Sequence, residues 1–165
     1  MARSRHREGT WFGVPLHGGL YAVGLVARSS RSGILLGYFF GPAIPSLPTL
    51  VDVMDLAPSD AVVVGRFGYL GLKLGQWPIL GHLDHWDRSL WPTPPLVRYE
   101  RLTGRTYRTI YDDKDPSKLV REELVAPGIQ EQGPKDGLMG HIFVQEMLTR
   151  ILSQPPAGEP GCFRT

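Results

Sequence analysis

One cysteine, Cys162, stands in a chain of 165 residues, and it falls in a stretch rich in proline and glycine. With no second cysteine there is no internal disulfide framework and no thiolate metal site, a usage that fits a reducing cytoplasm. An excess of charge of either sign is also missing. Lys and Arg number 18 against 16 Asp and Glu, a formal net charge of +2, and the arginines are scattered. That balance does not point to a nucleic acid or a membrane surface, and neither is expected as a partner. Long apolar runs are absent too. The uncharged stretch from Ser32 to Val51 approaches membrane-spanning length, but Gly37, Gly41, Pro42, Pro45 and Pro48 interrupt it, and proline removes a helical hydrogen bond and clashes with the preceding turn. It reads as a strand followed by a loop. The one basic cluster, Arg3, Arg5, His6 and Arg7, is not followed by an apolar segment and so does not read as a secretory signal.

What the chain does have is 20 glycines and 15 prolines, spread along its length. Many turns joining short elements follow from that, within the size of a single domain. Residues 10–16 and 20–27 flank His17-Gly18-Gly19, a hairpin turn, and Gly33 to Phe40 supplies an apolar third strand of a meander. Thr49 is a candidate N-cap for about two helical turns through Leu56. The β-branched run in Ala61 to Phe67 predicts a buried strand, and residues 70–74 and 77–80 predict a hairpin around Gly75-Gln76. From Gly81 to Pro95 we expect an ordered loop pinned by its aromatics. Residues 96–102 and 105–111 bracket Thr103-Gly104, the signal of an exposed hairpin, whereas 119–125 is too short and mixed to assign.

From Gly137 to Ser153, Leu138, Ile142, Val144, Met147, Leu148, Ile151 and Leu152 follow a 3.6-residue period, with Asp136 placed to cap the start and Pro155 to limit the end. The expected fold class is α+β. It consists of a mainly antiparallel, strongly twisted β-sheet, or a partly open barrel of hairpins, with one amphipathic C-terminal helix. Its expected organisation is a flexible basic N-terminus over 1–8, one β-rich domain over 9–154 ending in a helix over 137–153, and a flexible tail over 155–165.

Candidate chemistry is sparse. His82, Asp84, His85 and Asp87 form the densest group of metal-ligating types, and one helical turn would bring His82 and His85 to a common face. No HExxH, third histidine at a suitable spacing or cysteine pair accompanies them, and polar residues around Trp86 commonly satisfy loop backbone. Asp113, Asp115 and Ser117 place oxygens at alternate positions, as a calcium loop does. However, Lys118 stands where that loop needs glycine and Leu124 where it needs a bidentate carboxylate. Gly71 to Gly75 lacks phosphate-loop spacing, and no nucleophile elbow is present. Neither a catalytic residue nor a cofactor is assigned.

The aromatic residues say more as a set. Trp77, Trp86, Trp91, Tyr99 and Tyr107 are interspersed with arginines such as Arg88, and Trp, Tyr and Arg are the usual anchors of protein interfaces. The same rings also suit core packing and cross-strand pairing.

Gly9-Thr-Trp-Phe-Gly-Val-Pro-Leu16 followed by Gly19-Leu-Tyr-Ala-Val-Gly-Leu-Val-Ala27 resembles the opening hairpin of immunity protein family 26. Leu36 to Phe40, Arg66 to Gly68 through Gly75 to Pro78, and Trp91-Pro92 extend the likeness over about Gly9 to Tyr111. The resemblance implies a bacterial cytoplasmic protein that binds and neutralises a cognate polymorphic toxin, with no cofactor. Trp77, Trp86, Arg88, Trp91, Tyr99 and Tyr107 would then be the toxin-binding candidates. The alternative it carries is a small metal-dependent phosphotriester hydrolase, for which His82, Asp84, His85 and Asp87 would be the ligands.

Overall fold

A computed structural model describes residues 7–154. The segment expected to be flexible at the C-terminus, and all of the N-terminal one except Arg7 and Glu8, lie outside the described residues. The elements run β1 (Thr10–Pro15), β2 (Tyr21–Ser29), β3 (Ile34–Ile44), α1 (Leu50–Val53), β4 (Val63–Gly68), α2 (Leu70–Lys73), β5 (Ile79–His82), β6 (Leu96–Glu100), β7 (Arg105–Tyr111), β8 (Leu119–Leu124), β9 (Leu138–Met139) and α3 (His141–Ser153). They build a six-stranded sheet in the order β5-β1-β2-β3-β4-β9 and a three-stranded sheet, β6-β7-β8. Among the described residues only β9 pairs in parallel with its neighbour, and neither sheet closes into a barrel. The α+β class with one long C-terminal helix is the fold.

The large sheet is buried on both faces. Phe12, Val14, Leu35, Phe39 and Phe67 point to the face covered by α3, where Val144 and Leu148 meet them. Trp11, Leu25, Tyr38 and Phe40 point to the other, where Val53 and Trp91 close over them. Successive residues of a strand face opposite sides, so a strand with two dry faces must be apolar at nearly every position. This accounts for the unbroken apolar runs in β2 and β3. Phe12 lies opposite Gly24 in the β1–β2 register, and its ring crosses so close to β2 that a methyl group at Gly24 would overlap it. The ring stacks on Trp77 at 5.4 Å and meets Phe39 edge-on at 6.0 Å.

Four expectations are corrected. Residues 70–80 do not form a hairpin. Leu70–Lys73 is a helical turn that puts Leu72 into the core beside Trp77, and Ile79–His82 pairs instead with β1. β3 continues past the expected end at Phe40 to Ile44, keeping Gly41 and Pro42 within the sheet. The C-terminal helix starts at His141, not Gly137, with Gly140 as its N-cap. Residues 138–139 are claimed by the edge of β4, so Asp136 does not cap the helix. The β6–β7 turn spans residues 101–104, two more than expected, with Gly104 at φ +70 closing onto the Glu100 carbonyl. The unassigned segment is β8, exposed along most of its length.

Leu148 is fully buried between α3 and the sheet. Its replacement by alanine should lower unfolding stability by about 3 kcal/mol, the usual cost of a core leucine cavity, read as a shift in the urea midpoint.

Candidate functional site

Buried charge concentrates where the two sheets meet. Arg28, next to last in β2, is 2% exposed. Its Nη1 donates to the Ala27 carbonyl at 2.7 Å, Nε to the Asp113 carbonyl at 2.9 Å, and Nη2 to Asp113 Oδ1 at 2.9 Å. Arg88 reaches the same turn, donating to the Asp113 carbonyl at 2.7 Å and to Glu8 Oε1 at 3.0 Å. Burial alone would raise the Asp113 carboxyl. The hydrogen bonds from Arg28 and Thr93, with the two guanidinium charges, outweigh it and hold the group below the usual carboxylate range.

Arg66 forms the second junction. It donates from Nη2 to Asp136 Oδ1 at 3.1 Å while its guanidinium lies 3.9 Å over the Tyr111 ring. Asp136 is itself nearly enclosed and accepts from Thr109 Oγ1 at 2.9 Å and from the Tyr111 hydroxyl at 3.0 Å. Burial, and then the bond to Asp136, raise the Tyr111 phenol above its ordinary value. Around Asp136 the backbone makes two further ties. Val97 N–H donates to the Pro134 carbonyl, Asp136 N–H donates to the Val97 carbonyl, and β9 then pairs with Arg66 and Phe67. Residues 133–139 therefore strap β6 to β4. None of this was singled out from the sequence, although Arg66 inside a buried strand was a signal, because an ion there must find a counter-ion.

The six aromatic and arginine candidates occupy different environments. Trp77 is buried and donates to Gln145 Oε1 at 3.2 Å. Trp91 is a core residue, edge-on to Trp11, Tyr38 and Phe40. Trp86 is half-buried, stacked on Trp91 and donating to Glu8 Oε2, and Arg88 is held in the junction described above. Tyr99 is 63% exposed. Tyr107 carries the Arg98 guanidinium 4.5 Å from its ring centre, and Arg98 also pairs with Glu122. Tyr99 is paired with Thr106 and Tyr107 with Arg98, so the two tyrosines project from opposite faces of the small sheet.

The four-residue ligand cluster does not converge. Thr10 Oγ1 lies 2.7 Å from both the Arg7 carbonyl and His82 Nδ1. A carbonyl can only accept, so the single hydroxyl hydrogen goes to Arg7 and His82 donates from Nδ1. Asp87 instead caps the following 3-10 turn, accepting from Ser89 N–H and Oγ. Asp84 and His85 are exposed. Among the described residues no three His, Cys, Asp or Glu side chains are arranged to hold a metal ion. In the turn with calcium-loop spacing, Asp113 faces the arginines and Asp115 accepts from Ser117 N–H.

Fold and junctions together define a class: an α+β domain of two open sheets joined by buried or half-buried arginines and their carboxylate partners. Residues 7–108, more than half of the chain, match the family Immunity protein 26, and the chain belongs to that family. The match runs through β6 and ends inside β7. No curated protein and no solved structure matches the chain.

Two measurements follow. Replacing Asp136 with alanine leaves Arg66 charged and without its counter-ion, and should cost about 3 kcal/mol of stability in chemical unfolding. Burial, and then the charge of Arg7, lower the basicity of His82. The unfolded chain therefore takes up a proton first as pH falls. Stability should be whole above about pH 6.5, decline as pH falls through that value, and level off once folded His82 is protonated as well. His82→Gln should flatten this part of the stability curve.

Proposed function

We propose that this protein binds and neutralises a cognate bacterial polymorphic toxin in the cytoplasm of the cell that makes it. Membership of the Immunity protein 26 family carries the reading. The geometry agrees with it: the buried ions and caps serve the scaffold, leaving side-chain surface as the means of action. Inhibition by surface complementarity needs a rigid scaffold and a few anchor residues, without a cofactor. No helix among the described residues is long and apolar enough to cross a membrane.

Tyr99, Tyr107, Trp86 and Arg88 are the accessible members of the candidate set. Tyr99 and Tyr107 face opposite ways, so one flat partner meets one of them. Co-expression with the toxin encoded beside the gene should restore growth, and the two proteins should copurify; cells that die with no complex formed would refute the proposal. Tyr99→Ala and Tyr107→Ala, made separately, should differ by about tenfold or more in their effect on affinity if either ring is an anchor.

A further inference from the structure

The outer edge of the large sheet is covered along only part of its length. β9 pairs with β4 at Arg66 and Phe67, and among the described residues no strand lies against the outer side of Val63, Val64 and Gly65. Beside this open edge runs a groove of about 490 Å³, with Ala61–Val64 as one wall, Gly133–Lys135 as another, and Met139, Met147 and Ile151 below. Val62 is 44% exposed and Ile151 is 37% exposed. An uncharged, β-branched edge is a template for a further strand, and proteins ordinarily blunt such edges with charge. The opposite case is present in the same molecule: β8, at the edge of the small sheet, carries Arg121, Glu122 and Glu123.

Two cations line the groove, Lys135 and Arg150. Both are exposed, and neither side chain makes an ion pair or hydrogen bond among the described residues. An apolar trough beside an open strand edge, with unpaired positive charge at its rim, is complementary to an extended segment with apolar side chains at alternate positions and carboxylates beside them.

We propose that the open edge of β4 receives an extended, acidic-flanked segment of the toxin as an added strand, with its carboxylates meeting Lys135 and Arg150. This rests on the immunity reading and gives it a place. Backbone pairing with Val63–Gly65 supplies affinity, while the groove selects the apolar side chains and the two cations set direction and register.

Hydrogen exchange on the full chain, alone and with the toxin encoded beside its gene, tests the proposal. The amides of Ala61 and Val62 are already bonded to the Pro58 and Phe39 carbonyls, and in an antiparallel strand alternate amides face the neighbour; the amides of residues 63–65 that face away from β3 should exchange readily in the free chain and about tenfold more slowly in the complex. Lys135→Glu with Arg150→Glu should weaken the complex by about tenfold or more, and Lys135→Arg with Arg150→Lys should keep it within about twofold. Slow exchange of those outward amides already in the free chain means that a second copy or the chain itself fills the groove, and overturns the proposal. So does a complex that protects residues 96–111 and leaves those amides unchanged. If no complex forms with the toxin, the immunity reading fails separately, and a synthetic peptide, Asp-Val-Thr-Val-Thr-Val-Asp, decides the groove. Protection of the same amides that the double charge reversal abolishes sustains the strand site; no protection at about 1 mM peptide, where even weak binding would register, overturns it.

Discussion

Arg28 and Arg66 carry positive charge into the boundary of an otherwise apolar sheet, and the rest of the architecture answers to them. A buried guanidinium is tolerated only where acceptors surround it. Arg28 finds them in the backbone of its own strand and in the turn at Asp113, while Arg66 finds Asp136 and the face of Tyr111. The two carboxylates come from chain segments 85 and 70 residues away. Satisfying two ions thus fixes where the small sheet, its following turn and the segment leading to α3 must lie. Neighbouring apolar contacts exclude water without specifying one orientation, whereas these bonds have direction.

The cost of the arrangement falls on the side chains that function might otherwise have used. Asp113, Asp136, Thr109, Glu8 and Arg88 are all engaged in the junctions. Two polar side chains of the 81–95 segment are similarly engaged, His82 with Thr10 and Asp87 with its cap. Trp91 and Trp77, which by residue type suit an interface, hold the two cores.

Much of the large sheet was legible in the sequence because its signals are local. The glycine-bearing turn at 17–19, the β-branched run at 61–67 and the helical period beyond residue 140 each depend on near neighbours. Non-local choices were hidden. Ile79–His82 could pair with the preceding segment or with β1, and what decides is that Leu72 and Trp77 must both reach the core, which turns 70–73 into a helix. β8 was illegible because strand alternation reports burial, and β8 has little on either face. Asp136 sat where a helix cap was expected, and its ion pair with a residue 70 positions earlier left no mark in the local pattern. The same holds for the open edge at Val63–Gly65, which exists only because β9 is two residues long.

Residues 133–139 serve two neighbours at once, forming a wall beside β4 and the tie to β6. A shared wall transmits load. Whatever wedges apart or draws together the sides of the trough pulls on the peptide groups flanking Asp136, and through them on the register of Val97 against Lys135. The small sheet and the trough therefore share one wall, and Asp136 holds that wall to Arg66 on one side and to Thr109 and Tyr111 on the other.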